Sequence, residues 1–479
     1  MILVMILFIR NRFYFGTCSP RCLCAKSNFS SSTAKNDNEA VTRRDLFVFF
    51  GCAAAARPAS ELDLSAIPNF CSHEHWGSIN SIGTIPGGFR CDYEQGAAPR
   101  GTTSLYDLLI EPYFRGLLGS SGVDRKFLAP GSGWNWYQSL HAALKPLWFS
   151  GIYQCTRRGI EALYGVDLMR LDAAGLQRLE SAIDANYRRP TTWYSQAMSK
   201  AHFRGLIRPV HPEFYRQGES PEAAAEEARL MQTVMRIDPF LDFSTGPAER
   251  RKRMSELSGI EPADAQTWRA FLAYWFDQAA SGGAVGIKQL QAYRRSLDFA
   301  VHREDEIRWS DVSEIENRKR QDWIVHECCR QAHERGWAHQ VHVGTHNLPN
   351  SSPLPLAALA RRYPKMKIVM IHCWPFLSEA GTLARQVPNI YIDTCWQPIL
   401  NPAFFREAMR QWWNYVPINK LTCGHDATTV EMATGSSRFT REILADVLRE
   451  QTRQGGFTDQ QLRDAAQQVL HDNAVKLYS

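Results

Sequence analysis

No stretch of these 479 residues stays apolar for the ~20 positions a membrane-spanning helix needs, so no integral span is expected in the mature chain. Charge of one sign is scarce as well. The 55 Lys and Arg against 49 Asp and Glu leave a net charge of +6, spread along the sequence. The densest basic cluster, Arg250-Arg251-Lys252-Arg253, reads as a solvated helix face, and no nucleic-acid partner is expected. The 12 cysteines lack the spacing of a disulfide framework, and four of them fall in the first 52 residues. Cys71, Cys373, Cys395 and Cys423 lie in apolar, strand-like segments, where cysteine serves as a small core residue. This leaves the redox compartment open. With 44% hydrophobic and 22% charged residues, the chain is neither disordered nor fibrous and can bury one large core or two modest ones.

The amino-terminal stretch reads as a leader. Residues 1–9 are apolar but short, Arg10 and Arg12 follow, and residues 25–40 are polar and Ser-rich. Thr42-Arg43-Arg44-Asp45-Leu46-Phe47, an apolar run through Phe50 and the small residues Gly51 to Ala56 resemble a twin-arginine export signal. Ala54-Ala55-Ala56 would be its cleavage site; a lipoprotein signal would instead cleave at Gly51-Cys52. The expectation is export, either periplasmic or anchored on the outer side of the inner membrane, and a cytoplasmic protein if the signal reading fails. Residues 1–57 are therefore set apart from the folded region, 58–479.

Beyond residue 60, short β-branched or apolar runs alternate with longer amphipathic stretches, the pattern of repeated βα units around a parallel sheet. Eight strands are predicted near 67–72, 203–210, 232–238, 284–288, 338–343, 367–372, 389–394 and 420–424. Helices are predicted at 312–336, with Gly336 as a C-cap, and at 354–363. The economical closure is a (β/α)8 TIM barrel. The segment from 76 to about 200 is too long for a βα connection and reads as a helical cap inserted after strand 1. Its aromatics, among them Trp134, Trp136 and Trp148, are expected mainly in the cap core.

Barrel enzymes carry their chemistry at the carboxyl ends of the strands. Strand 1 closes on His73 and His75, whose i, i+2 spacing projects two imidazoles to one face with Glu74 turned away. Strand 4 ends in Lys288, strand 5 offers His342, strand 6 closes on His372 and strand 8 on Asp426. Buried strand ends of this kind cost free energy unless each group is paired or ligates a metal. The order HxH, Lys, His, His, Asp resembles the amidohydrolase superfamily. Gly286-Ile287-Lys288, Gln340-Val341-His342, Ile371-His372-Cys373-Trp374-Pro375-Phe376, Tyr391-Ile392-Asp393 and Asp472 to Tyr478 are similar to its amidohydrolase-2 branch. The likeness is to the amidohydrolase domain fused to glutamine synthetase in nodulin-type proteins. It covers roughly residues 65–479 and is strongest from 284 onward.

That resemblance implies a metal-dependent hydrolase acting with metal-activated water on an amide, ester or lactone of a small, acidic substrate. His73, His75, His342 and Asp426 would hold the first divalent cation, and Asp426 would also act as general base. Zn²⁺ is expected first, with Mn²⁺ or Fe²⁺ as alternatives, one or two per chain. His372 would either ligate a second metal or polarise the substrate carbonyl. Lys288 decides between these: a carbamate would bridge two metals, whereas a free ammonium would bind the acidic substrate. Tyr293 and Arg294 are candidate substrate-binding residues, the guanidinium suited to a carboxylate. A nonoxidative decarboxylase and a uronate-isomerase-like enzyme are the alternatives. A homo-oligomer is compatible with the sequence. His326, His339, His346 and His425 fall outside the matched pattern and read as surface or supporting groups.

Overall fold

The computed structural model describes residues 62–76, 104–216, 228–241 and 247–479. The leader and its paired arginines lie outside these residues. Eight parallel strands run in chain order: β1 Asn69–Cys71, β2 Phe203–Val210, β3 Met231–Arg236, β4 Ala284–Gln289, β5 Ala338–Val343, β6 Lys367–His372, β7 Ile390–Asp393 and β8 Leu421–Thr422. The gap between β8 and β1 is bridged just past the strand ends, where the Asp426 N–H donates to the His73 carbonyl (2.8 Å) and the His75 N–H to the Ala427 carbonyl (3.0 Å). This is a (β/α)8 barrel, and its seam carries three of the residues singled out above.

Alternation along the strands sorts the side chains. In β5, Ala338 packs in the barrel interior with Ile207, Val369 and Ile371. Val341 and Val343 face the helical shell with Phe271, Trp275 and Met370. The helix Glu314–Arg335 begins on Ser313, whose hydroxyl accepts from the Glu316 N–H. It ends on Gly336 with a left-handed backbone (φ 66°). None of the described helices is long and apolar enough to cross a membrane.

Between β1 and β2, helices from Leu105 to Lys200 build a core of their own, including Tyr137, Tyr153, Tyr187 and Trp193. This insertion is clamped to the barrel by helix Gly151–Tyr164, which lies on helix Val430–Gly455. A Cβ on Gly159 would sit 1.7 Å from the Glu431 carbonyl oxygen, and one on Gly435 would sit 1.7 Å from that of Cys155. Only glycine permits this backbone approach. Buried Glu431 accepts from the Tyr164 and Tyr187 hydroxyls (both 2.7 Å), so cap and last barrel helix also share a polar tie. The clamp fixes where the cap overhangs the carboxyl ends of the strands.

Candidate metal centre

His73 and His75 leave the end of β1 in extended chain and converge on Asp426. His75 Nε2 lies 3.1 Å and His73 Nε2 4.0 Å from Asp426 Oδ1, and all three residues are buried. One donor atom from each falls within 4.8 Å of the other two. His73 is oriented from behind. Gln340 Nε2 donates to the Ser72 carbonyl (2.7 Å), so its Oε1 is the atom facing His73 Nδ1 at 2.7 Å. That puts the proton on Nδ1 and leaves the Nε2 lone pair for a cation. Burial, reinforced by Lys288, holds the His73 imidazole well below its usual range, and burial lowers His75 too. Burial thus favours in both rings the neutral form that ligation requires. Burial would raise the Asp426 carboxyl, but His75, His73 and His372 outweigh it and hold it below the carboxylate range. Two neutral imidazoles and a carboxylate fit a divalent transition-metal ion.

His372 stands on the other side of the same carboxylate, its Nε2 3.4 Å from Asp426 Oδ2, with burial pushing its pKa down to about 3. Strand alternation alone would point it outward with Ile368 and Met370. A left-handed backbone at His372 (φ 70°) breaks the alternation and turns the ring into the barrel mouth. Thr345, Cys373, Trp396 and Asp426 are left-handed too. Such non-glycine residues each cost on the order of 1–3 kcal/mol, and five of the six described lie at this end of the barrel.

His342 is placed differently from the expected ligand set. Its ring packs 4.4 Å from that of His372, but its Nε2 meets the Thr345 hydroxyl at 2.6 Å, and it stands outside the His73–His75–Asp426 cluster. The cause is the turn after β5. Gly344 (φ 78°) lies so close to Trp374 that a Cβ would fall 1.8 Å from its carbonyl oxygen, and this turn brings Thr345 back over the imidazole.

Lys288 is buried with Nζ 3.4 Å from His73 Nε2, and burial pushes its pKa down to about 8. Tyr293 packs against His342 and His346 (ring centroids 4.6 and 5.1 Å). Arg294 is exposed and makes no side-chain ion pair or hydrogen bond among the described residues. Both line, with Lys288, His75, His372 and Asp426, a cavity of about 680 Å³. Of the remaining histidines, His346 stacks on Trp396 at the cavity wall (5.6 Å). His425 and His339 are fully buried rather than at the surface, His425 held between Asn69 and Ser436. Glu74 points away from the cluster and accepts from Cys71 Sγ and the Ala427 N–H (both 2.9 Å).

Several site residues escaped the sequence reading. Tyr113, on the cap helix Pro112–Ser121, donates its hydroxyl to Asp426 Oδ1 (2.9 Å) and packs against Trp396 (4.8 Å). Glu111 caps that helix, accepting from the Tyr113 and Phe114 N–H groups, and ties it to the loop after β8 through the Thr428 hydroxyl (2.7 Å). Burial drives the Glu111 carboxyl up to about 7 against these hydrogen bonds. The folded chain then keeps a proton that the unfolded chain has lost above its ordinary 4.5. The carboxyl therefore stabilises the fold fully below 4.5, and that contribution fades as pH rises through 7. Denaturant unfolding of the wild type, referenced to Glu111→Gln, is expected to lose up to about 3 kcal/mol over this window. Parallel pH profiles would show that Glu111 is already ionised in the fold.

Residues 277–479 match the family model described as Amidohydrolase (Amidohydro_2). Over 249 residues the chain is 27% identical to protein fluG of Emericella nidulans, covering 47% of this chain and 29% of fluG. The chain thus spans only about 29% of that curated relative's length. The fold is similar to that of a proposed metal-dependent hydrolase from Lactobacillus casei ATCC 334 (TM-score 0.59, 18% identity, covering 87% of this chain and 96% of that one). It is also similar to uronate isomerase from Thermotoga maritima (TM-score 0.64, 14% identity, 86% and 94% covered). At such identities the likeness concerns architecture.

Proposed function

We propose that this chain, whose residues 277–479 belong to the amidohydrolase family, is a metal-dependent hydrolase cleaving an amide, ester or lactone bond in a small acidic substrate. The observation that carries the reading is the convergence of His73, His75 and Asp426 on one point of a cavity whose wall also holds Arg294 and Lys288. A divalent cation on those three residues, Zn²⁺ in the first instance, supplies when bound the Lewis acidity that brings a water toward a pKa of about 7. Asp426 is placed to take the proton of the attacking water, since its carboxylate faces both the ligating imidazoles and the cavity. His342 and His372 sit side by side on the cavity wall. Tyr113 holds Asp426 Oδ1 from the cap side.

Arg294, whose side chain has no ion pair or hydrogen bond among the described residues, is placed on the cavity wall to pair with a substrate carboxylate. Truncation to alanine is expected to raise KM for carboxylate-bearing lactones and amides roughly 10- to 100-fold, the worth of a charged hydrogen bond of about 1.5–3 kcal/mol, with kcat little changed. Neutral isosteres should show no such change. Equal KM values for both substrate sets in the variant and the wild type would reject the acidic substrate. Turnover in ¹⁸O-labelled water separates the reaction classes. Label in the product supports hydrolysis, whereas CO₂ release without label would establish a decarboxylase instead.

A further inference from the structure

Two clusters of three metal-competent side chains occur among the described residues, and the second is made by His372, Cys395 and Asp426. One donor atom of each lies within 4.8 Å of the other two, and all three residues are buried. Asp426 belongs to both clusters and divides its oxygens between them. Oδ1 faces His75 and His73, and Oδ2 faces His372. His372 Nδ1 lies 3.1 Å from the Cys395 carbonyl oxygen and 3.4 Å from Cys395 Sγ; the carbonyl, the stronger acceptor, takes its proton, which leaves the Nε2 lone pair on the Asp426 side. Cys395 is held in place through its main chain, whose N–H donates to Asp393 Oδ1 (2.8 Å). Asp393 is itself fixed by Ser72, Thr422 (2.6 Å) and the Gly424 N–H (3.0 Å). This network anchors a thiol beside the site on the same backbone turn that carries Trp396.

We propose that His372, Cys395 and Asp426 form a second cation site, selective through its sulfur for a borderline-soft divalent ion such as Zn²⁺. It rests on the proposed first site, because Asp426 is shared. An imidazole, a thiolate and a carboxylate are a donor set that Zn²⁺ accepts and that Mg²⁺ or Ca²⁺ avoid. Binding breaks the S–H bond of Cys395, forms the metal–sulfur bond and releases one proton to solvent, with no change of oxidation state. A second ion held in this way needs no carbamate on Lys288.

The test is a Co²⁺ titration of the chelator-stripped full chain in CO₂-free buffer, read by elemental analysis and near-ultraviolet absorption. Two equivalents are expected, the second bringing a thiolate-to-cobalt charge-transfer band. Cys395→Ser should keep the first equivalent, lose the band and bind the second at least ~10-fold more weakly. A single equivalent without the band overturns the second site and leaves the first standing, whereas no bound cobalt overturns both. A second equivalent that appears only with bicarbonate assigns it to a Lys288 carbamate and also overturns the proposal, as does a band that survives in Cys395→Ser. Should that variant not fold, the wild-type band and its independence of bicarbonate decide the matter alone.

Discussion

Asp426→Asn is expected to lower turnover about 10²- to 10⁴-fold, the usual worth of a general base. The substitution keeps the shape of the side chain and its contacts with Tyr113 and His75 but removes the charge. The loss should fall on kcat and on kcat/KM alike, because the missing proton transfer belongs to the transition state rather than to binding. Assays at saturating Zn²⁺ separate this from weaker metal retention, and an unchanged thermal midpoint shows that the fold survives. A variant as fast as the wild type under those conditions would remove Asp426 as the base.

The barrel was legible because periodicity and strand-end chemistry are local. Predicted spans 203–210, 338–343 and 367–372 coincide with β2, β5 and β6, and the helix expected at 312–336 runs Glu314–Arg335. His73, His75 and Asp426 follow the same rule, since each closes a strand at the mouth. What escaped the reading depends on partners distant in sequence. Tyr113 reaches Asp426 from an insertion whose path over the barrel is set by the Gly159–Gly435 approach, which no periodicity announces. His342 could be assigned to its strand but not to its partner, because Thr345 captures it only through the left-handed turn beyond Gly344. Cys395 reads in the sequence as core filler, and it is buried; its neighbours are set only by the turn after β7. Gln340 did leave a signal. It sits two residues before His342 on the inward face of β5, where a polar side chain must find partners.

That glutamine separates ligation from orientation in the metal centre. His73→Ala removes a donor and is expected to abolish stoichiometric metal retention after gel filtration, and catalysis with it. Gln340→Leu removes no donor. It leaves His73 Nδ1 without its acceptor, frees the ring to change tautomer and strips the Tyr478 hydroxyl and the Ser72 carbonyl of their shared partner. Partners of this kind behind a ligating histidine are worth about 10- to 100-fold in metal affinity. Competition with a chromophoric chelator should therefore rank wild type, Gln340→Leu and His73→Ala in that order, with the middle variant recovering activity when metal is supplied in excess. If His73→Ala retained metal as tightly as the wild type, the cation would have to be held elsewhere. The remaining candidate donors, His342 and the His372–Cys395 pair, would then have to be tested as the primary site.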